Sequence, residues 1–322
     1  MALETALSKA WALRYPILLA PMGAVAGGHL ARAVSNAGGL GLIGPGYHDA
    51  AWIEREFERA QGARVGIGFI TWDPAKDPDK LQAALAHRPF AVMLSFGDAT
   101  PYVDAIRRSR ARLILQVQSL EAARAAAALK PDLIVAQGTE AGGHGADRSL
   151  LSLLPEVLGV AGRIPVAAAG GIANGQSAAV ALALGAAGVL VGTRFFATHE
   201  ALAADEAKRR LVQASAASTV RTRVFDIVRR IDWPPGYTGR AISNDFTARY
   251  HGHEAALEAR LDIEHERYRA AVAANDVSTM VVWAGQGLDA IRRIEPASEV
   301  VARLAAETAR SLNSNSERWL QE

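Results

Sequence analysis

The chain has 322 residues, of which 50% are hydrophobic and 21% are charged, and its formal net charge is +2 at pH 7. This length and composition allow one large domain with an ample core, or a domain with an appendage, and the nearly balanced charge predicts no nucleic-acid-binding face. The chain contains no cysteine, which excludes disulfides, cysteine zinc sites and a thiol nucleophile.

The N-terminal segment does not have the pattern of a secretory signal. Glu4, Lys9 and Arg14 interrupt the apolar run that such a signal needs. No stretch of the sequence approaches the roughly 20 uninterrupted apolar residues of a membrane span. We therefore expect a cytoplasmic protein without a membrane partner.

Short apolar runs alternate with alanine-rich helical patterns over the first two thirds of the chain. Successive runs are spaced by roughly 20 to 30 residues, and each gap holds a helix-like pattern. The predicted strands are 17–20, 40–43, 65–69, 91–95, 113–117, 133–137, 166–169 and 189–192. The predicted helices include 28–37, 50–60, 100–109, 120–129 and 176–184.

Eight strand–helix units of this kind predict an α/β fold, the (β/α)8 barrel. An open doubly wound sheet is the alternative, but the turn APMGAVAGGH after the first strand has no GxGxxG at the required place. After Phe196 the sequence is rich in helix formers and contains the break DWPPGYTGR. We predict a barrel over residues 1–200 and 285–322, closed by a helix at 298–311. Residues 201–284 are predicted as a smaller, mostly helical domain inserted after the eighth strand and covering the barrel mouth.

Glycines follow the seventh and eighth predicted strands. VAAAGGIANG places Gly170 and Gly171 after the seventh strand, and GVLVGTRFF places Gly192 and Thr193 after the eighth. Glycine lets backbone N–H groups approach an anion closely, and the next helix adds a favourable dipole. Either pair alone could simply end a strand, but these two loops are the usual phosphate site of the barrel. Together they favour a phosphate site.

A histidine follows two glycines at the end of the sixth strand, in QGTEAGGHG. Gly142 and Gly143 would let a planar ligand press against the backbone. His144 is the side chain of this motif that titrates near neutrality, so it is the candidate base. Glu140, four residues earlier, is the candidate to orient or charge the imidazole. A lone histidine is usually a polar surface residue, but its position at a strand end favours a catalytic role.

The other histidines predict no metal site. His251 and His253 lie close together in RYHGHE, but no third ligand is obvious, so a solvated helix end is favoured.

Six segments, in this order, resemble the nitronate monooxygenases, formerly called 2-nitropropane dioxygenases: PILLAPMG, SNAGGLGLIG, LSFG, QGTEAGGHG, AAGGIANG and GVLVGTRF. The resemblance implies a TIM barrel with a smaller helical domain and one non-covalent FMN. It implies the oxidative denitrification of alkyl nitronates or nitroalkanes with O2, giving a carbonyl compound and nitrite. It requires no metal, and it leaves homo-oligomerisation open.

The resemblance also assigns roles to individual residues. It implies that His144 is the catalytic base. It implies FMN contacts for Pro21, Met22, Gly23, Gln116, Gln137, Gly142, Gly143, Ala169, Gly170, Gly171, Gly192 and Thr193. Gln286, in the turn WAGQG, is predicted to line the substrate pocket.

Two other functions stay open at this point. An NAD(P)H-dependent FMN enoyl-acyl-carrier-protein reductase shares the barrel and the AGGH histidine, although AVMLSFGDATPYVDAIR lacks the glycine-rich acidic turn of that enzyme. A non-catalytic protein that binds flavin or a phosphate ligand would not turn over any donor. The inosinate dehydrogenase group is excluded because its reaction needs a cysteine nucleophile.

Overall fold

The computed structural model describes residues 3–72 and 77–319, with side chains described as far as residue 314. The outermost residues of the predicted barrel domain, 1–2 and 320–322, lie outside the described residues. The strands are β1 Ile17–Leu19, β2 Leu42–Ile43, β3 Gly66–Ile70, β4 Ala91–Ser95, β5 Arg112–Val117, β6 Leu133–Gln137, β7 Gly143–Gly145, β8 Val166–Ala169, β9 Gly188–Val191, β10 Thr219–Thr222 and β11 Thr238–Ile242.

The helices follow the strands in regular alternation through the first part of the chain. They are α1 Ala6–Ala10, α2 Gly28–Asn36, α3 Ala50–Ala60, α4 Asp79–Ala86, α5 Thr100–Arg108, α6 Leu120–Ala128, α7 Leu150–Ala161, α8 Gly175–Ala183, α9 Thr193–Phe196, α10 Asp205–Gln213, α11 Val224–Arg229, α12 Asp245–Tyr250, α13 Glu254–Glu258, α14 Leu261–Ala273 and α15 Ala297–Trp319. Side-chain caps fix several helix starts, such as Asp49 accepting from Trp52 N at 2.9 Å and Asn174 accepting from Ser177 N at 2.9 Å.

Eight parallel strands close into the predicted barrel. Their order around the sheet is β1, β9, β8, β6, β5, β4, β3 and β2. The two outer strands of this order are joined by a parallel bridge between Leu18 and Leu40, with Leu19 N donating to Leu40 O at 2.9 Å. The (β/α)8 prediction is therefore confirmed, and all eight strands occur within a few residues of their predicted bounds.

The barrel interior is filled by apolar side chains rather than left as a channel. Its members include Leu18, Leu40, Leu42, Met93, Ile114, Leu133, Val135, Ala167 and Leu190. Helix α1 closes the amino-terminal end of the barrel, where Leu7 and Trp11 join this cluster and Thr5 Oγ1 donates to Ala187 O at 2.6 Å. The opposite, carboxyl-terminal end of the strands is the end at which enzymes of this fold place their active sites.

Residues 201–284 contain strands that the sequence pattern did not predict. Strands β10 and β11 pair in antiparallel fashion, and β11 also pairs with β7, so that Gly239 lies opposite His144. Helices α11 to α14 pack behind this small sheet around Val224, Phe225 and Phe246. The segment therefore contacts the loop after β6 directly. The domain bounds at 200 and 285 stay a prediction. None of the helices in the described part of the chain is long and apolar enough to cross a membrane.

One close helix contact gives a test of the fold. An added Cβ at Gly28, the first residue of α2, would lie 1.9 Å from the backbone oxygen of Glu56 in α3. We expect Gly28→Ala to lower the stability of the protein by about 3 kcal/mol, because backbone must move to relieve this overlap. Thermal unfolding of the purified variant measures the loss.

Gly159→Ala is the matched control for that substitution. Gly159 lies inside α7, and an added Cβ there meets nothing within 4 Å. We expect this variant to gain about 0.5–1 kcal/mol from the better helix propensity of alanine. Equal unfolding temperatures for the two variants would refute the close α2–α3 contact.

Candidate active site

The backbone of His144 is fixed on both sides at the mouth of the barrel. Strand β6 ends at Gln137, the chain turns, and β7 begins at Gly143. One edge of β7 pairs with β11, which places Gly239 opposite His144. On its other side, Gln137 Nε2 donates to the carbonyl oxygen of His144 at 3.1 Å. The predicted base is therefore held in place by strand pairing as well as by the turn.

The imidazole of His144 is paired with a carboxylate and stacked on an aromatic ring. Its Nε2 lies 2.9 Å from each carboxylate oxygen of Asp226, on α11. The two side chains are only 9% and 4% exposed. The ring of Trp233 lies parallel to the imidazole at an interplanar angle of 6°, with the centroids 3.5 Å apart. These contacts leave the ring little freedom to rotate.

Burial lowers the pKa of His144 below its ordinary value. The hydrogen bond and the negative charge of Asp226 act in the opposite direction, and the positive charges of Arg229 and Arg221 lower the pKa further. Because the net shift is downward, the imidazole is neutral at neutral pH. A neutral imidazole has a lone pair available to accept a proton, as the predicted base requires.

The prediction that Glu140 orients His144 was wrong. Both carboxylate oxygens of Glu140 lie 3.0 Å from the backbone nitrogen of Leu150, at the first turn of α7. The carbonyl oxygen of Glu140 accepts from Gln286 N at 2.8 Å. A spacing of four residues brings side chains together on a helix, but this segment is a turn followed by a strand. Glu140 therefore stabilises the start of α7, and Asp226 takes the place beside the imidazole.

Three glutamines form a chain of hydrogen bonds beneath His144. Gln116 Nε2 donates to Gln137 Oε1 at 3.1 Å, and Gln118 Nε2 donates to the same oxygen at 2.9 Å. The structure thus brings together Gln116 and Gln137, both predicted to contact FMN, and adds Gln118, which the sequence did not single out. The network fixes the amide of Gln137 with its nitrogen towards His144.

The predicted residues after β1 and β9 are neighbours. An added Cβ at Gly192 would lie 3.4 Å from the sulfur of Met22, and one at Gly23 would lie 3.0 Å from Gly46 Cα. The ring of Pro21 packs on the backbone of Gly68, where a Cβ would come within 2.3 Å of it. The loop after β1 therefore packs against β3 on one side and against the start of α9 on the other.

The loop after β8 has a backbone that favours glycine. Gly170 and Gly171 have φ angles of 108° and 70°, in the left-handed region. Ala169, the last residue of β8, accepts from Gly138 N at 2.9 Å, which ties this loop to the end of β6. In the next loop, Thr193 Oγ1 accepts from Gly285 N at 3.0 Å. The predicted phosphate residues are therefore held by contacts with the loops on either side.

The two glycines before His144 differ in their surroundings. A Cβ at Gly142 would lie 2.6 Å from Gly285 N, so no side chain fits there. Gly143 has a φ of 71°, and a Cβ at this position would meet nothing within 4 Å. The open backbone at Gly143 could lie flat against a planar ligand. Gln286, predicted to line the substrate pocket, is exposed beside this turn.

Aromatic side chains from separate loops surround Trp233, the ring that stacks on the imidazole, and the sequence did not predict this cluster. Trp233 makes edge contacts with Trp72 and Phe96, whose ring centroids lie 5.4 and 5.1 Å away. Its indole nitrogen donates to the hydroxyl of Tyr47 at 2.9 Å. The sequence signal was the break DWPPG, which brings Trp233 from the inserted segment over the barrel mouth. The face of the imidazole that this segment covers is therefore packed against aromatic rings.

These features together define a class of protein. Glycine-rich loops after β1, β8 and β9 and a buried histidine after β6 meet at the carboxyl end of a closed (β/α)8 barrel, where enzymes of this fold place cofactor and substrate. Among the described residues, no group of three or more His, Cys, Asp or Glu side chains could hold a metal ion. The class is a barrel enzyme whose candidate base is an imidazole.

Comparison with known proteins identifies the family. The nitronate monooxygenase family model matches residues 4–65 and 49–307. A nitronate monooxygenase of Metarhizium robertsii, npaC, is 35% identical over 94% of this chain and 93% of its own length. The chain therefore belongs to the nitronate monooxygenase family, which consists of flavin-dependent oxidoreductases. The family predicted from the six sequence segments is confirmed.

Two solved structures have the same architecture. The nitroalkane oxidase of Streptomyces ansochromogenes superposes with a TM-score of 0.80 at 32% identity, covering 97% of this chain and 100% of that one. FabK from Thermotoga maritima superposes with a TM-score of 0.86 at 27% identity, covering 98% and 99% of the two chains. Both similarities extend over the barrel and the inserted segment together.

Proposed function

We propose that the protein oxidises alkyl nitronates and nitroalkanes with O2 in an FMN-dependent reaction that yields a carbonyl compound and nitrite. The observation that carries this proposal is the buried imidazole of His144, which is paired with Asp226 and stacked on Trp233 at the carboxyl end of the barrel. The membership of the nitronate monooxygenase family supports the same reaction. The partners are then a small molecule and O2, and we place the reaction in the cytoplasm.

The residues at the barrel mouth fit an FMN. Gly171 and Gly192 leave backbone free of side chains at the ends of β8 and β9, where a phosphate group would be held. Gly143 leaves an open backbone face for the flat ring system. Gln116, at the end of β5, is linked to the same turn through Gln137, and Met22 lies in the loop after β1. The redox chemistry between the substrate and O2 is supplied by FMN when it is bound.

His144 has a different task for each of the two substrate forms. A neutral nitroalkane must first lose the proton on its α-carbon, and the lone pair of a neutral imidazole can accept that proton. A nitronate has already lost it and needs only binding and orientation. The aromatic cluster around Trp233 excludes water from the imidazole and favours substrates with apolar chains.

The first test is the visible absorption spectrum of the purified protein, followed by oxygen-uptake assays. We expect flavin bands, release on heating of a compound with the mass of FMN, and O2 consumption with nitrite production on a nitronate. NAD(P)H alone should reduce the flavin slowly or not at all.

Each alternative function gives its own result in these assays. Rapid flavin reduction by NAD(P)H would indicate a reductase of the enoyl-acyl-carrier-protein type. Bound FMN without turnover of any donor would indicate a flavin-binding protein. A colourless protein that cannot be reconstituted with FMN would remove the cofactor from the proposal.

A further inference from the structure

The contact between His144 and Asp226 determines which imidazole nitrogen carries the hydrogen. An ionised carboxylate has only acceptor sites, and both oxygens of Asp226 lie 2.9 Å from Nε2. Nε2 must therefore be the protonated nitrogen of the neutral ring. A neutral imidazole has one N–H group, so the lone pair is on Nδ1.

We propose that Asp226 is the positioning residue of this site, and that Nδ1 of His144 is the atom that removes the α-proton of a neutral nitroalkane. The assignment of the substrate rests on the proposed function, whereas the tautomer follows from the geometry of the pair. Asp226 acts only through the imidazole.

The surroundings of Asp226 hold its carboxylate in this position. Asp226 lies on α11 between Phe225, which is fully buried, and Ile227. Its backbone nitrogen donates to Arg223 O at 2.9 Å, and its carbonyl oxygen accepts from Ile231 N at 3.0 Å. Because α11 is anchored in the core of the inserted segment, the carboxylate is a fixed partner for the ring.

The charges around the imidazole explain why the site needs a carboxylate. The charged groups that act on His144 are Asp226 and Arg229 from α11 and Arg221 from β10. When the substrate C–H bond breaks, its electron pair moves onto the nitro group to form the nitronate, and the proton forms a new bond to Nδ1. The imidazolium that results is buried close to two arginines, and the negative charge of Asp226 compensates it.

The Asp226→Asn variant tests the proposal. Its amide oxygen can still accept from Nε2, but the negative charge is lost. We expect kcat on a neutral nitroalkane to fall about 100-fold, while turnover of the preformed nitronate stays within about threefold, because a positioned base contributes roughly 10²- to 10⁴-fold. Removing the carboxylate also lowers the pKa of His144 further, so the rise of nitroalkane activity with pH should move to lower pH.

A control variant shows whether the effect is specific to the carboxylate of Asp226, and an NMR measurement detects the tautomer of His144 without an activity assay. Asp262→Asn removes an exposed carboxylate, paired with Arg230, from the same inserted segment and should change neither the rates nor the pH profile. In protein with ¹⁵N-labelled histidine, NMR should show the Nε2–H form of His144 in the wild type and a changed signal in Asp226→Asn.

The outcomes separate this inference from the proposed function. A wild-type His144 protonated on Nδ1, or an unchanged pH profile and nitroalkane rate in Asp226→Asn, would overturn the positioning role. If the wild type turns over neither nitronates nor nitroalkanes, the proposed function fails, and the NMR result still decides whether Asp226 sets the tautomer.

Discussion

The His144→Ala variant is expected to lose roughly 10³-fold in kcat/KM on neutral nitroalkanes and far less on preformed nitronates. The reason is that only the neutral substrate has a proton to remove. The imidazole is buried and uncharged, so it can accept this proton at neutral pH. Initial rates on a nitroalkane and on the corresponding nitronate, measured by oxygen uptake, give the two values.

A suitable control variant must keep a hydrogen-bond donor for the carboxylate of Asp226, which loses its partner when the imidazole is removed. Alanine at position 144 leaves the carboxylate of Asp226 buried without its hydrogen bond, which costs about 1–3 kcal/mol of stability. His144→Gln keeps an N–H donor for that carboxylate but has no basic nitrogen, so it should show the same loss on nitroalkanes with better stability. His253→Ala, at an exposed histidine before α13, should change nothing. An equal loss on both substrates in His144→Gln would rule out proton removal by this residue.

The barrel could be predicted from the sequence because its strands are buried on both faces. Such strands appear as continuous apolar runs, as in Leu133–Gln137, and the helices between them begin at recognisable caps. The glycine pairs were informative for a related reason. A left-handed φ, as at Gly170 and Gly171, requires a residue without a side chain, so the type of residue itself marks the loop.

The rest of the site depends on contacts between distant parts of the chain. Asp226 lies 82 residues after His144, and no local pattern connects them. The strand Gly143–Gly145 consists of residues with poor strand propensity and exists because β11 pairs with it. The clue that was available in the sequence was an acidic residue inside the apolar helix VFDIVR, since a buried carboxylate usually has a partner.

The Gly171→Asp variant is expected to lose its FMN, with an affinity at least about 100-fold lower, equivalent to about 2.7 kcal/mol. Gly171 has a φ of 70°, which aspartate adopts only at a cost, and its Cβ would lie 3.2 Å from Glu140 Cβ. The new carboxylate would also repel a phosphate group held by this loop. The ratio of flavin to protein after desalting measures the loss directly.

Gly162→Asp is the matched control, because it makes the same change of charge at another glycine with positive φ. Gly162 follows α7 at the opposite end of the barrel, with a φ of 61° and nothing within 4 Å of an added Cβ. This variant should keep its flavin, so strain and net charge alone would not explain a loss at Gly171.

Riboflavin separates the phosphate contribution from steric crowding, because it lacks the phosphate. If the loop after β8 holds the phosphate, Gly171→Asp should weaken FMN binding much more than riboflavin binding. Equal weakening of both would indicate that the new side chain obstructs the ring or distorts the loop, and the phosphate would then have to be assigned elsewhere. A Gly171→Asp protein that stays yellow after desalting would remove the loop from the cofactor site altogether, and Gly192 with Thr193 would be left as the remaining candidates for the anion.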